Sequence, residues 1–342
     1  MLRDSAVAVR VVLGLALVLL ARTAASADSP SCDRTCLNAL AERYLNAMLA
    51  HDPTKAPLAR ESRYTENGVE LPLPDGLWRT LQSVGTYRLF VTDPAEGSVG
   101  FFIRAQENGA PLLVATRLKV VGNQITEIES NAARLSATVG GGPSALPRED
   151  RLGATPREQF LTALPANERH PRAELMSIVN SYFTGIENNT GDKPPPFAED
   201  CLRIENGTQT TGRPLAAGET PGPLNFSCKD AFALGYYRED TRVRNRRMVA
   251  VDEERGLVYA IVYFDHDAVL RSYQLKDGRT VRVRNTAPWT WAIHEIFEIN
   301  GAGKISQVEA VLQSVPYGMR PGWNTGVHMT SPQALSDGFK EY

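Results

Sequence analysis

The chain carries no excess of either charge. Its 37 Lys and Arg stand against 39 Asp and Glu, a net charge of −2 over 342 residues, with both signs mixed along its length. That excludes the basic stripe a nucleic-acid partner leaves in a sequence. There is no GxGxxG following a strand, no Walker loop, no GxSxG elbow and no HExxH. Dinucleotide, P-loop, nucleophile-elbow and zincin chemistry are therefore not signalled. The five histidines (His51, His170, His266, His294 and His328) show no metal-ligand spacing. A mechanism without metal or cofactor is the simplest expectation. Past the first thirty or so residues, no run is apolar enough to cross a membrane.

What is present begins with a processing signal. Arg3 and Arg10 flank the start of an apolar run, Val11 to Ala21, and Ala25-Ser26-Ala27 supplies small residues at the cleavage positions. The run falls short of the ~20 residues a bilayer requires, and the pattern fits a secretory signal peptide over residues 1–27. The expected mature chain starts near Asp28 and is secreted, extracellular or periplasmic. Cysteine is scarce: Cys32, Cys36, Cys201 and Cys228. Export makes disulfides plausible, and four cysteines allow three connectivities. The favoured pairing is Cys201–Cys228, which would staple a long loop, leaving Cys32–Cys36 to lock the entry to the first helix. Zinc is the weaker reading, since CxxC spacing and nearby histidines are absent.

The chain also says the same thing twice. Leu37, Leu40, Ala41, Tyr44, Leu45 and Met48 fall at a constant offset on Leu175, Ile178, Val179, Tyr182, Phe183 and Ile186, and Glu66-Asn67-Gly68 returns as Glu205-Asn206-Gly207. The repeat is too long for a solenoid unit of roughly 20–50 residues. It reads as two copies of one domain, over 28–136 and 171–335, joined by a linker at 137–170. Within the first copy, apolar residues at i, i+3, i+4 and i+7 predict a helix from about Asp33 to Ala50, ended by His51-Asp52-Pro53. A short helix around Pro57 to Ser62, a short strand into Glu66 and another short helix at Asp75 to Leu81 follow. Then come four β-rich segments separated by turn signals. Helices followed by strands indicate an α+β fold. The second copy keeps this order and adds insertions near 208–227, 239–247 and 266–290.

This element order resembles the NTF2-like, or SnoaL-like, superfamily. The wording of Tyr44-Leu45-Asn46-Ala47-Met48-Leu49-Ala50-His51-Asp52, Tyr64-Thr65-Glu66-Asn67-Gly68, Asp75-Gly76-Leu77-Trp78 and Val315-Pro316-Tyr317-Gly318-Met319-Arg320-Pro321-Gly322-Trp323 resembles a group of secreted fungal and bacterial proteins. The resemblance implies two tandem cystatin-like cones, each a curved antiparallel sheet wrapped around an N-terminal helix. It also implies a pocket at the open mouth of each cone, where a carboxylate near the first strand often acts as base. Single-copy relatives often dimerise through their sheets, so the duplication implies a pseudo-dimer within one chain, which would then be a monomer. The superfamily holds isomerases, cyclases, lyases, hydrolases and plain binding subunits, so the fold chooses no reaction.

Candidate chemistry follows from residue types. Glu66 and Glu205 stand at the position of the superfamily's base, and burial against apolar walls would raise their pKa toward neutrality. Asn67 and Asn206 are candidate oxyanion donors; a plain turn explains Glu-Asn-Gly equally well. In the segment Trp291 to Glu298, strand alternation puts His294, Ile296 and Glu298 on one side and Ile293, Glu295 and Phe297 on the other. If the first set faces the cone interior, His294 becomes an acid–base group and Glu298 its orienting partner. Arg242 and Arg244, with Arg246, alternate and would form one basic face for an anionic substrate, or a charged edge strand. Tyr236, Tyr237, Trp289 and Trp291 are candidate walls of a pocket mouth or sugar platform. His51-Asp52 reads as a helix end rather than a dyad. The expected function is a secreted, cofactor-independent acid–base enzyme of lyase, dehydratase, isomerase or hydrolase type, acting on a small organic or sugar-derived substrate. Its alternative is a non-catalytic extracellular ligand-binding protein. The expected partner is a small-molecule or sugar-derived ligand, with no nucleic acid and no membrane after signal cleavage. The second copy, which holds the insertions and His294, is the place to look.

Overall fold

The structure is a computed structural model and describes residues 32–134, 152–215, 217–218, 221–283 and 285–323. The proposed signal peptide, the head of the linker and residues beyond 323 lie outside the described residues. In the first copy, α1 (Arg34–Leu49) is started by Asp33, whose carboxylate accepts the Cys36 amide at 2.8 Å. The Cys32–Cys36 disulfide closes over that cap. The strands β1 (Leu58–Glu66) and β2 (Val69–Glu70), the turn of helix α2 (Leu77–Thr80), and β3 (Leu81–Asp93), β4 (Ser98–Glu107), β5 (Ala110–Val121) and β6 (Gln124–Arg134) follow. They form a sheet in the order β2-β1-β6-β5-β4-β3.

A short helix, α3 (Glu158–Leu161), precedes the second copy: α4 (Arg172–Glu187), β7 (Phe197–Glu205), β8 (Thr208–Gln209), α5 (Cys228–Leu234), β9 (Arg242–Asp252) and β10 (Leu257–His266). A small hairpin of β11 (Ser272–Gln274) and β12 (Thr280–Arg282) then interrupts it, before β13 (Trp289–Ile299) and β14 (Ile305–Val315). The second sheet runs β8-β7-β14-β13-β10-β9, the same order as the first. The fold is α+β, built as two tandem cones. The Cys201–Cys228 disulfide ties β7 to α5.

Three expectations need correction. The segment 57–62 is strand, not helix: β1 lies along β6, with Leu58 opposite Ile125 and Glu66 opposite Ser130, and this pairing overrides the helix-tolerant composition of Leu-Ala-Arg-Glu. That pairing is parallel, as is β7 with β14, so each sheet is mixed rather than wholly antiparallel. The arginines of 242–247 are not an insertion. They lie on β9, the counterpart of β3.

Each helix packs on the concave face of its own sheet. Tyr44 meets Trp78 edge-on at 5.3 Å in the first copy, and Tyr182 meets Phe297 at 5.0 Å in the second. The opposite faces of the two sheets pack on each other through Leu89, Val91, Phe102, Leu113, Tyr259, Ile261, Ile296 and Val311, joined by Leu152 and Phe160 of the segment ahead of α4. Gly100 is required here: a Cβ on it would sit 1.7 Å from the Tyr259 ring. The contact is reciprocal. Arg34 at the start of α1 pairs with Asp252 at the end of β9 at 2.5 Å, and Arg172 at the start of α4 pairs with Asp93 at the end of β3 at 2.6 Å. Such exchange of equivalent residues is the pattern of an isologous interface.

Because this face is dry, the carboxyls on it are perturbed. Strand register makes Glu129 and Glu309 equivalents. Glu309 receives the Tyr87 hydroxyl at 2.7 Å, and its carboxyl is pushed up to about 7 by burial, with Tyr87 and Arg157 acting the other way. A carboxyl raised in the folded state stabilises fully below its unfolded pKa, here 4.5. That contribution is lost as pH rises through about 7. The expected loss across this window is about 3 kcal/mol. Denaturant midpoints of Glu309→Gln should therefore vary less between pH 4.5 and 7 than those of the wild type; parallel profiles would refute the assignment.

The C-terminal segment after β14 crosses back to the first copy. Trp323 donates its indole N–H to Thr65 Oγ1 at 2.8 Å, the Arg63 guanidinium lies 4.2 Å over its ring, and Arg63 also donates to the Gly322 carbonyl. Trp323→Ala should lower stability by about 2 kcal/mol, less than a core aromatic because a chain end can relax. A urea midpoint within error of the wild type would show that this strap adds nothing.

Candidate active site

The two cones differ in what fills them. In the first, Glu66 is locked: it accepts the Tyr64 hydroxyl at 2.5 Å, the Leu77 amide at 2.8 Å and Arg134 at 2.6 Å. Trp78, Tyr44, Tyr64 and Phe101 occupy the interior around it. Glu66 thus starts α2 and anchors β6, with its carboxylate committed to protein donors.

Asn67 and Asn206 have the same job in both copies. Each takes a left-handed backbone, φ 50° and 45°. The Asn67 amide both accepts from the Ala132 N–H at 2.7 Å and donates to the Ala132 carbonyl, and Asn206 does the same with Leu312 at 3.0 and 2.9 Å. These side chains continue the sheet across a turn. Their amides are engaged by backbone on both the oxygen and the nitrogen, which gives these side chains a structural role in the turn. The recurrence of Glu-Asn-Gly is explained by the turn.

His294, Ile296 and Glu298 face the other sheet, not the cone interior. The large rings decide this: Phe297 and Ile293 pack against α4, with Phe183 5.6 Å from Phe297, and alternation sends His294 the opposite way. His294 is buried against the Tyr259 hydroxyl at 2.6 Å, and its imidazole is pushed down to about 3 by burial and by Arg247. It stays neutral there. Glu298 does not orient it. Glu298 receives the Ser306 hydroxyl, and burial pushes its carboxyl up to about 7. Arg242 and Arg244 do not form an open basic face either: both pair with the buried Asp265.

The same alternation turns Glu295 into the second cone. There a cavity of about 180 Å³ is lined by Tyr182, Arg203, Glu205, Tyr237, Glu239, Asp240, His266, Trp291 and Glu295, among others. Glu295 is 3% exposed and receives the Tyr182 hydroxyl at 3.3 Å. Burial and the charge of Glu205 push its carboxyl up to about 8, with Arg203 and Tyr182 acting the other way. Glu205 is paired with Arg203 at 3.0 Å, its side chain one-third exposed. Arg203 also donates to the Tyr237 hydroxyl at 2.8 Å and stacks over that ring. Among the same lining residues, His266 Nε2 meets Asp240 at 2.8 Å, and the imidazole stacks on Trp289 with centroids 3.8 Å apart. Burial, then Asp240, raises the carboxyl of Glu239, which accepts the Tyr273 hydroxyl of the inserted hairpin at 2.7 Å.

Of the residues expected from sequence, the cavity therefore gathers Glu205 alone, together with the aromatic Tyr237 and Trp291. Glu295, Arg203, Asp240 and His266 were missed. A signal existed for two of them. Strand register makes Glu295 the counterpart of Thr116, and Arg203 the counterpart of Tyr64. In the first copy Thr116 simply bonds Ser130 at 3.0 Å. Two positions without a charge-bearing side chain in the first cone, Tyr64 and Thr116, are ionisable in the second, Arg203 and Glu295.

Among the described residues, no cluster of His, Cys, Asp and Glu is arranged to hold a metal ion, and no helix is long and apolar enough to cross a membrane. The family described as Domain of unknown function (DUF8021) matches residues 31–132 and 168–312. The chain belongs to that family, and the two matched stretches follow the two sheets. No curated protein matches the chain. Among solved structures, the chain is similar to a protein from Kribbella flavida DSM 17836 assigned as a ketosteroid isomerase. The identity is 17%, over 36% of this chain and 93% of that one, with a TM-score of 0.24.

Proposed function

We propose that the second cone is the active site of an exported, cofactor-independent acid–base enzyme acting on a small organic or sugar-derived substrate. The observation that carries this reading is one cavity holding two carboxyl groups in different settings. Burial raises the Glu295 carboxyl to about 8, so it keeps its proton near neutral pH, while Glu205 is one-third exposed and paired with Arg203. Two carboxyls in such different surroundings can divide the roles of acid and base. Glu205, the more exposed, would take a proton from the substrate. Glu295, neutral and buried, would donate a hydrogen bond to the oxygen that gains charge, or hand its proton to a leaving group. His266, held by Asp240 in the same lining, would serve as a second proton carrier. The disulfides and the N-terminal signal pattern support export.

Protein recovered from the culture medium, with an N-terminus near Asp28, is the material for the test. On any substrate it turns over, Glu205→Gln should lower kcat by about 10²-fold or more. Glu66→Gln should leave kcat unchanged in a protein that folds. Equal activity in wild type and Glu205→Gln would eliminate the reading, and saturable binding without turnover would replace it with a ligand-binding protein.

A further inference from the structure

The cavity around Glu295 does not end at the cone mouth. Glu239, His266 and Trp291 line it on one side and a second, larger chamber of about 1080 Å³ on the other. The inner chamber, about 180 Å³, is smaller than the ~300–1,000 Å³ of ordinary ligand pockets, and the outer one reaches the top of that range. The outer chamber is built by what the second copy adds: the loop around Pro223 to Asn225 and the hairpin that carries β11 and β12. The first copy lacks both.

The wall of the outer chamber alternates ring surfaces with planar polar groups. Trp291 is half-buried and meets Trp289 edge-on at 4.5 Å. Asn225, Asn285, Arg282 and Asp267 line the same chamber. The charges are mixed, which disfavours a polyanion. An apolar ligand would strip water from the polar side chains of this wall, Asn225, Asn285, Arg282 and Asp267, without pairing them. Ring surfaces and polar side chains lining one chamber suit a ligand that offers an apolar face and hydroxyls together. A sugar ring has that chemistry. Its C–H face stacks on an indole, and its hydroxyls pair with amides, guanidinium and imidazole.

We propose that the two chambers are subsites of one oligosaccharide cleft, the inner taking a single sugar unit and the outer the units linked to it. This rests on the second cone being the reactive site, and adds the substrate class. The test is a glycan array of plant, fungal and bacterial oligosaccharides probed with labelled wild type and Glu295→Gln. Titration of any hit as the mono-, di- and trisaccharide, and as the parent polymer, follows and separates free chains from polymer ends. The expected result is at least tenfold tighter binding from one unit to three. That gain should be lost in Trp291→Ala and reduced at least threefold in Arg282→Ala, whose exposed side chain leaves folding intact. Glu295→Gln should keep the gain from one unit to three, because the added units sit in the outer chamber. An array without a hit, equal affinity for one unit and three, or a gain that survives both outer-chamber variants overturns the proposal. The two readings fail separately. Turnover of a non-sugar molecule that depends on Glu295 would keep the acid–base site and remove the oligosaccharide. Trp291-dependent sugar binding with undiminished turnover in Glu295→Gln would do the reverse.

Discussion

Glu295→Gln is expected to lower turnover by about 10²–10⁴-fold, the usual contribution of a positioned acid or base, while leaving ligand affinity within a few-fold. Gln keeps the volume and a hydrogen-bond donor beside Tyr182 but has no proton to transfer. The folded protein should tolerate it, because an amide escapes the desolvation that pushes the Glu295 carboxyl up to about 8. The pH profile supplies the second readout. An acid works below its pKa, so wild-type activity should fall as pH rises through about 8. Glu205 contributes to that elevation as a neighbouring negative charge. Its removal favours the ionised form of Glu295, so the residual activity of Glu205→Gln should lose its alkaline limb at a lower pH than the wild type does. A basic limb that stays in place, or a Glu295→Gln enzyme with full kcat, would mean that Glu295 is only a buried structural acid.

That residue shows why the site was harder to read than the fold. The duplication, the order of elements and both disulfides follow from local signals: apolar spacing along α1 and α4, turn residues, and cysteines placed beside elements they could close. The face of β13 that meets the cavity does not. Alternation assigns an inside and an outside only when one side of a strand meets water. Here His294 packs on the other sheet and Glu295 on the cone interior, and both are buried. The strand shows polar residues on each side, and histidine, as the commoner acid–base group, drew attention to the wrong one. His266 and Asp240 were illegible for a different reason. They come from the end of β10 and the loop before β9, and only the pairing of those strands, with Asp265 opposite Arg242, brings them together. Glu66 and Glu205 looked alike because their turns are alike. What separates them is Tyr64 against Arg203 and Thr116 against Glu295, a comparison that needs the strand register of both copies.

Asp265 offers the largest expected effect on stability. Its carboxylate is fully buried and accepts four hydrogen bonds from three partners: Arg242 at 2.7 Å, Arg244 at 2.8 and 3.0 Å through two nitrogens, and the Thr290 hydroxyl at 2.6 Å. Burial works against the charge, but the hydrogen bonds and charges of Arg244, Thr290 and Arg242 hold the carboxyl below its ordinary value. Asp265→Ala takes from two buried guanidiniums the carboxylate that joins them. Breaking a buried pair from one side costs about 3–5 kcal/mol. The loss should also reach the site. Asp265 precedes His266 on β10, and the Thr241 amide and hydroxyl both donate to the Asp265 carbonyl, which fixes Asp240 opposite His266. Arg244 and Thr290 in turn hold the Met319 carbonyl and the Gly318 amide, the start of the strap that ends in Trp323. Arg246→Ala is the control, because its pair with Glu187 is partly exposed on the other face of β9, and such pairs contribute about 1 kcal/mol or less. Guanidinium denaturation of both variants should separate them clearly. An Asp265→Ala midpoint close to that of Arg246→Ala would show that water reaches the two arginines, and that the geometry around His266 does not depend on this charge.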